Sequence, residues 1–253
     1  MARVLTAKDG HVWTVTINRP EARNAVDPET ADALRAAFDA FEADTEARVA
    51  VLTGAGRTFC SGFDLKRVAD VGDYDPAARG PMGPTRDALT KPVIAAVEGH
   101  AVAGGLELAL WCDLRVASRT AVFGVFCRRW GVPLIDGGTV RLPRIIGQGR
   151  ALDMILTGRP VDAEEALIWG LIDRLFAEGQ ALPRAQQLAH EIAAFPQLCL
   201  KADRASALDQ WSLPPDAALR REAEGGAIPL REEAVTGAAR FRGGAGRGGT
   251  FMP

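Results

Sequence analysis

Near the start of the chain, hydrophobic residues recur at every second position. Trp13, Val15 and Ile17 alternate with polar residues, which is typical of a strand with one buried face. A second β-prone run precedes the dipeptide Asp9-Gly10, which is a common tight turn between strands. Residues 2–18 therefore predict a β-hairpin.

The spacing then changes to that of an amphipathic helix. Asp27 can serve as its N-cap and Pro28 as its first residue, because Asp accepts a hydrogen bond from the first turn and Pro lacks only an N–H that would go unused there. The apolar stripe of this helix consists of Leu34, Ala37, Phe38 and Phe41. The pattern predicts a helix that packs this stripe against a sheet.

Further along, short apolar runs alternate with glycine-containing turns. The predicted strands are Arg48–Thr53, Pro92–Val97, Leu114–Ala117, Ala121–Phe123 and Leu171–Phe176. A helix is predicted over Gly104–Trp111, and helical periodicity prevails from Gly137 onward. Residues 70–86 are rich in Gly, Pro and Asp, a composition typical of a mobile loop or lid. Strands that alternate with helices predict an α/β layer fold.

Composition narrows the class of protein. The chain has 253 residues with a net charge of -2, and 47% of its residues are hydrophobic, so it is neither a disordered chain nor a markedly basic nucleic-acid binder. The most apolar region, Pro92–Ala117, contains charged residues, which argues against a membrane span. The four cysteines are scattered without a CxxC pair, as expected for reduced thiols in a cytoplasmic protein without zinc.

Two glycine-rich turns are the candidates for chemistry. Gly56–Leu65 follows one predicted strand, and Gly99–Leu108 follows another and opens a helix. Neither fits the dinucleotide or P-loop phosphate motifs, and Ser61 lacks the GxSxG context of a serine hydrolase because Phe59 precedes it. Such turns can aim two backbone N–H groups at one point and form an oxyanion hole, or they can be ordinary tight turns.

Several long segments resemble one enzyme family. They are NRPEARNAV at 18–26, GAGRTFCSGFDLK at 54–66, KPVIAAVEGHAVAGGLELALWCDLRVAS at 91–118, FGVFCRRWGVPLIDGGTVRLPRIIG at 123–147 and ALDMILTGRPVDAEEALIWGLID at 151–173. In this order they resemble the crotonase, or enoyl-CoA hydratase/isomerase, superfamily. The resemblance covers nearly the whole chain and implies binding of an acyl-CoA thioester.

The resemblance also implies an architecture and a binding site. Residues 1–180 would form a spiral core of repeated ββα units, and residues 181–253 a helical region with a flexible Gly/Arg-rich tail that mediates trimerisation, commonly as a dimer of trimers. The N–H groups of Phe63 and Gly104 would form the oxyanion hole. The acyl-CoA site would include Phe63, Asp64, Leu65, Lys66, Gly104 and Arg23, with Arg57 and Arg67 as further candidates for the CoA phosphates.

The acid/base residues depart from the family pattern. Hydratases of the family use two glutamates, and Glu107 matches the first; a carboxylate in so apolar a helix is costly to bury unless it is used or paired with an arginine. The second position is occupied by Cys127, a weak hydrogen-bonding substitute for a carboxylate. Asp136 has two possible roles. Isomerase-type relatives carry an aspartate in the same turn, offset by one position from Asp136, which suggests a further base or proton shuttle. Alternatively, Asp136 is the N-cap of the following helix.

Four functions remain open at this point. The leading one is hydration of a 2-enoyl-CoA, with Glu107 and Asp136 as catalytic residues and with neither a metal nor a redox cofactor, because CoA is part of the substrate. The alternatives are double-bond isomerisation, non-catalytic binding of acyl-CoA, and thioester hydrolysis through Cys127 or Asp136. The expected partners are the acyl-CoA substrate and other copies of the chain, with no nucleic acid and no membrane.

Overall fold

The protein divides into two compact units, Met1–Ala189 and His190–Pro253. The structure, a computed structural model, describes residues 2–71 and 75–246. In this part of the chain no helix is long and apolar enough to cross a membrane.

The main sheet of the first unit is mostly parallel. Its strands are β1 (Val4–Asp9), β2 (Val12–Ile17), β3 (Val49–Gly54), β4 (Val93–Val97), β6 (Leu114–Ser118) and β9 (Arg174–Phe176), whereas β5 (His100–Val102), β7 (Val122–Gly124) and β8 (Val161–Asp162) form a second, smaller sheet. The strand order of the main sheet is β1-β2-β3-β4-β6-β9, and only β1 and β2 pair in antiparallel orientation. Buried β-branched and small residues fill β3 and β4, as expected for parallel strands that are covered on both faces.

Helices connect and cover these strands. In the first unit they are α1 (Pro28–Ala43), α2 (Gly104–Trp111), α3 (Gly138–Ile146), α4 (Gln148–Thr157), α5 (Ala163–Trp169) and α6 (Ala181–Ala193), whose last turn contains the boundary between the units. The observed α/β fold confirms the predicted fold class.

The local predictions for the first hairpin and helix are largely confirmed. Trp13, Val15 and Ile17 are buried in β2. Asp27 caps α1 by accepting a hydrogen bond from the Thr30 N–H, and the predicted apolar stripe of this helix is buried. The hairpin turn is displaced by one residue, because Asp9 pairs with Val12 and the loop is Gly10-His11.

The predicted loop over residues 70–86 is packed at its far end. Residues 72–74 lie outside the described part, and residues 75–79 are exposed, but residues 82–85 are buried and Pro84–Arg86 form a short 3-10 helix. The Gly/Pro composition correctly indicated irregular backbone. It missed the burial of this end, because the partners of these residues lie far away in the sequence.

The second unit is helical. It contains α7 (Gln197–Asp209), α8 (Pro215–Glu232) and α9 (Ala234–Arg242), and residues 247–253 of the predicted Gly/Arg-rich tail lie outside the described part. Glu233 accepts hydrogen bonds from the N–H groups of Leu198 and Cys199 and so caps α7. Large apolar side chains are exposed in this unit, among them Trp211, Leu219, Leu230, Val235 and Phe241.

Candidate active site

The two glycine-rich turns lie side by side. Cys60 donates its N–H to the His100 carbonyl and accepts a hydrogen bond from the Val102 N–H, so the first turn runs parallel to β5. The chain then continues from β5 into α2, whose first residue is Gly104. These bonds bring Phe63 and Gly104 together, although they are 41 positions apart in the sequence.

The backbone of the first turn directs the Phe63 N–H away from its neighbouring segment. The Val26 N–H donates to the Gly62 carbonyl and the Asp64 N–H donates to the Val26 carbonyl, so the intervening Phe63 N–H faces the other side. Gly62 has a φ of 99°, and a Cβ atom there would lie 3.0 Å from the Gly104 nitrogen. Only glycine therefore permits both this backbone conformation and this close approach.

Phe63 and Gly104 both line one cavity of about 820 Å³. Within the described part of the chain, neither of their N–H groups is matched to a protein acceptor. The wall is largely apolar and includes Leu65, Val68, Met82, Val102, Phe126, Trp130, Val132 and Ile135. The cavity thus presents two backbone donors in mainly hydrophobic surroundings.

Glu107 lies one turn into α2 and is 2% exposed. Its Oε1 atom accepts hydrogen bonds from the N–H groups of Asp136 at 2.9 Å and Gly138 at 2.8 Å. Burial, followed by the nearby charge of Asp136, raises the pKa of Glu107 to about 7, against the opposing effect of these two bonds. The carboxyl group is therefore poised to accept or donate a proton near neutral pH.

Asp136 lines the same cavity and is 2% exposed, but its side chain is held by another segment. Its Oδ1 atom accepts hydrogen bonds from the Met82 N–H at 3.1 Å and the Thr85 hydroxyl at 2.5 Å. Burial raises the pKa of Asp136, and these two bonds oppose that effect. The alternative interpretation as an N-cap is wrong, because Gly137 is the capping residue of α3 and no side chain caps it.

Cys127 faces the same cavity from the short 3-10 helix Phe126–Trp130. It is 7% exposed, and burial, with a smaller contribution from the charge of Glu107, raises the pKa of its thiol. A neutral thiol thus faces the cavity at the chain position that the resemblance assigns to a second glutamate.

The residues predicted to bind substrate divide into two groups. Phe63, Asp64, Leu65, Gly104 and Arg23 line the cavity, and the Asp64 carboxylate also pairs with Arg19 at 3.1 Å. The described cavity wall does not include Lys66, Arg57 or Arg67; Lys66 and Arg57 are exposed, and Arg67 pairs with Glu29.

Sequence reasoning did not identify several cavity residues. Met82 belongs to the loop interpreted only by its composition, and His100 is an exposed residue of the cavity wall. Trp130, another residue of the wall, is 70% exposed, and the neighbouring Arg129 guanidinium lies 4.0 Å from the centre of the Phe126 ring. The signal available in the sequence was the run of aromatic and basic residues at 126–130.

Comparison with known proteins agrees with this geometry. The family model described as enoyl-CoA hydratase/isomerase matches residues 7–224. The chain is 39% identical to enoyl-CoA hydratase EchA19 of Mycobacterium tuberculosis over 245 residues, which cover 94% of this chain and 92% of the relative. It is 40% identical over 203 residues to (E)-benzylidenesuccinyl-CoA hydratase of Thauera aromatica, with 78% of this chain and 79% of the relative covered.

A solved structure extends the similarity to the fold. A probable enoyl-CoA hydratase/isomerase from Mycobacterium abscessus superposes with a TM-score of 0.87 at 40% sequence identity, over 96% of each chain. Matching motifs, matching relatives and a matching fold lead to one conclusion: the chain is an enzyme of the crotonase, or enoyl-CoA hydratase/isomerase, family.

Proposed function

We propose that this enzyme adds water across the double bond of a 2-enoyl-CoA. The observation that carries the proposal is that Phe63, Gly104 and Glu107 line one cavity, which brings together two backbone donors and a carboxyl group of raised pKa. A thioester carbonyl that accepts from both N–H groups would leave its acyl chain beside Glu107.

The two amides would stabilise the charge that develops during the reaction. When water attacks the β-carbon, the electron pair of the double bond moves through the α-carbon to the thioester oxygen and forms an enolate. Fixed N–H donors need no reorganisation to meet that charge, and each contributes about 3–4 kcal/mol by comparison with other oxyanion holes. The apolar wall strengthens the effect by excluding water.

Glu107 would move the protons. The backbone holds Oε1, and within the described part of the chain Oε2 takes no hydrogen bond, so it can face the reacting water. The carboxylate takes one proton from the attacking water while the new C–O bond forms. It then returns a proton to the α-carbon as the enolate collapses, so that one water is added and Glu107 regains its charge.

A second candidate reaction is migration of the double bond from the 3- to the 2-position. Cys127 favours it, because a neutral thiol holds water less firmly than a second carboxylate would. Glu107 alone could then remove a proton from the α-carbon and return it to the γ-carbon. The wall residues Arg23 and Arg129 are the basic groups we propose to meet CoA phosphates in either reaction.

The test is to incubate the enzyme with crotonyl-CoA and to follow loss of the conjugated thioester absorbance. We expect turnover in which ¹⁸O from labelled water enters the product, and a decrease of at least about 100-fold in kcat for Glu107→Gln. Glu178→Gln, a change at an exposed glutamate outside the cavity wall, is the matched control. Turnover of a 3-enoyl-CoA without incorporation of label would favour the isomerase, and full activity of Glu107→Gln would remove Glu107 from the mechanism.

We also propose that the enzyme is cytoplasmic and self-associates as a trimer or a dimer of trimers. The support for a cytoplasmic location is that all four cysteines are free thiols. The support for self-association is the set of exposed apolar side chains in the second unit, since such surfaces on a folded protein often mark interfaces. Analytical ultracentrifugation should give a mass of three or six chains, and a monomer at micromolar concentration would contradict the proposal.

A further inference from the structure

Met82 occupies the space directly beside one of the two cavity donors. A Cβ atom at Gly104 would lie 2.5 Å from the Met82 Sδ atom and 2.8 Å from its Cγ atom, so the side chain packs on the glycine itself. Met82 is 1% exposed and lines the cavity. Any acyl group whose carbonyl reaches Gly104 would therefore meet Met82 close to the thioester.

Asp136 holds Met82 in this place. Its Oδ1 atom accepts from the Met82 N–H and from the Thr85 hydroxyl, which lie on either side of a short turn. The same oxygen approaches Gly80 so closely that a Cβ atom there would lie 2.1 Å from it. One carboxylate oxygen thus contacts the segment 80–85 at three residues.

Further bonds join this segment to the turn that contains Asp136. Arg141 donates to the carbonyl oxygens of both Thr85 and Asp136, at 2.7 Å and 3.0 Å. Arg86 donates to the Ile135 carbonyl at 2.8 Å. The Asp136 N–H meanwhile donates to Glu107. A single turn therefore fixes the catalytic carboxyl group on one side and the segment that carries Met82 on the other.

We propose that Asp136 is a positioning residue that holds Met82 as the cavity wall beside the thioester, and that this wall selects acyl groups unbranched at the α-carbon. The inference rests on the proposed function in that it places the thioester carbonyl at Phe63 and Gly104. It differs from the sequence-based expectation for Asp136, because the carboxylate acts here through its accepted hydrogen bonds and carries no proton for the reaction.

Binding of saturated thioesters tests the wall without requiring turnover. Calorimetry with butanoyl-CoA and 2-methylbutanoyl-CoA should show that the wild-type enzyme binds the unbranched thioester at least about 10-fold more tightly, the scale on which packed pockets discriminate one methyl group. Met82→Ala should narrow this ratio to about threefold or less. Equal binding of the two thioesters by the wild-type enzyme, no binding of either, or an unchanged ratio in Met82→Ala overturns the proposal.

Variants of Asp136 and of its partner Thr85 distinguish a positioning role from proton transfer. Asp136→Ala should narrow the ratio as Met82→Ala does, whereas Asp136→Asn should keep the wild-type ratio because its amide oxygen can accept the same two bonds. Thr85→Val removes one bond and should give an intermediate ratio, which keeps the test available if Asp136→Ala does not fold. Thr53→Val, which removes a buried hydroxyl bonded to the Ala96 carbonyl, is the matched control and should keep the wild-type ratio.

The outcomes separate this inference from the proposed reaction. If the binding ratios are as predicted but crotonyl-CoA is not hydrated, selection by Met82 is supported and the hydratase function is rejected. If crotonyl-CoA is hydrated but Met82→Ala leaves the ratio of the two affinities unchanged, the hydratase function is supported and selection by Met82 is rejected. If Asp136→Asn narrows the ratio as much as Asp136→Ala, the accepted hydrogen bonds are not what positions Met82, and the role of Asp136 is rejected.

Discussion

Glu107→Gln measures the free energy of burying the Glu107 carboxylate. Glutamine keeps a carbonyl oxygen for the N–H groups of Asp136 and Gly138 but cannot ionise. The pKa of Glu107 is raised from 4.5 in a free side chain to about 7 in the folded protein. The folded state therefore holds the proton more tightly than the unfolded state, and stability falls as the pH rises from about 4.5 through about 7.

The size of the effect follows from this shift. One pKa unit corresponds to about 1.4 kcal/mol, and the unfolded side chain is already largely ionised at pH 5, so about 2–3 kcal/mol of stability should be lost between pH 5 and pH 8. Glu107→Gln should not lose this stability, because glutamine does not ionise. Its free energy of unfolding relative to the wild-type enzyme should thus increase by about 2–3 kcal/mol over the same range.

Urea denaturation of both proteins at pH 5 and pH 8, at one protein concentration, provides the measurement. Taking the difference between variant and wild type cancels the titration of groups that do not interact with Glu107. Glu178→Gln, at an exposed position, should show the same stability difference from the wild-type enzyme at both pH values. If the difference for Glu107→Gln is also independent of pH, the buried carboxyl group does not have a raised pKa and the reasoning fails.

Three further predictions concern the same site, and a fourth concerns the exposed cysteine of the second unit. Gly62→Ala should destabilise the protein by about 1–3 kcal/mol, measured by urea denaturation, because its φ of 99° and its approach to Gly104 leave no room for a methyl group; an unchanged midpoint would contradict this. Gly138→Ala should lower kcat at least about 10-fold with little change in KM, because its Cβ atom would lie 2.9 Å from the Glu107 Oε1 atom; a change in KM alone would refute this. The kcat/KM for hydration should rise with pH and level off above about 7 as Glu107 ionises, and a flat profile would exclude it as the base. Cys199, the exposed cysteine among the four, should react first with iodoacetamide in peptide mapping, and faster labelling of a buried cysteine would contradict the structure.

The elements that the sequence predicted correctly depend on neighbours along the chain. The alternation of Trp13, Val15 and Ile17, the Asp27 cap of α1 and the helix over Gly104–Trp111 all involve residues within one or two turns of each other. The family could also be identified from sequence, because its glycine turns occur in a characteristic order. Motif order placed Phe63, Gly104 and Glu107 around what the structure shows to be one cavity.

Only the tertiary structure decided what the acidic residues contact. Asp136 meets Met82 across 54 positions of sequence and Glu107 across 29, and no local pattern encodes either pairing. The pKa of Glu107 likewise depends on how completely the assembled core excludes water from it. Sequence by itself determined most strands of the main sheet, the first helices and the family, because these follow from local periodicity and motif order, but it did not predict the short strands β5 and β8. The environment of the carboxyl groups and the packing of Met82 against Gly104 arise from contacts between distant segments, and so only the folded structure reveals them.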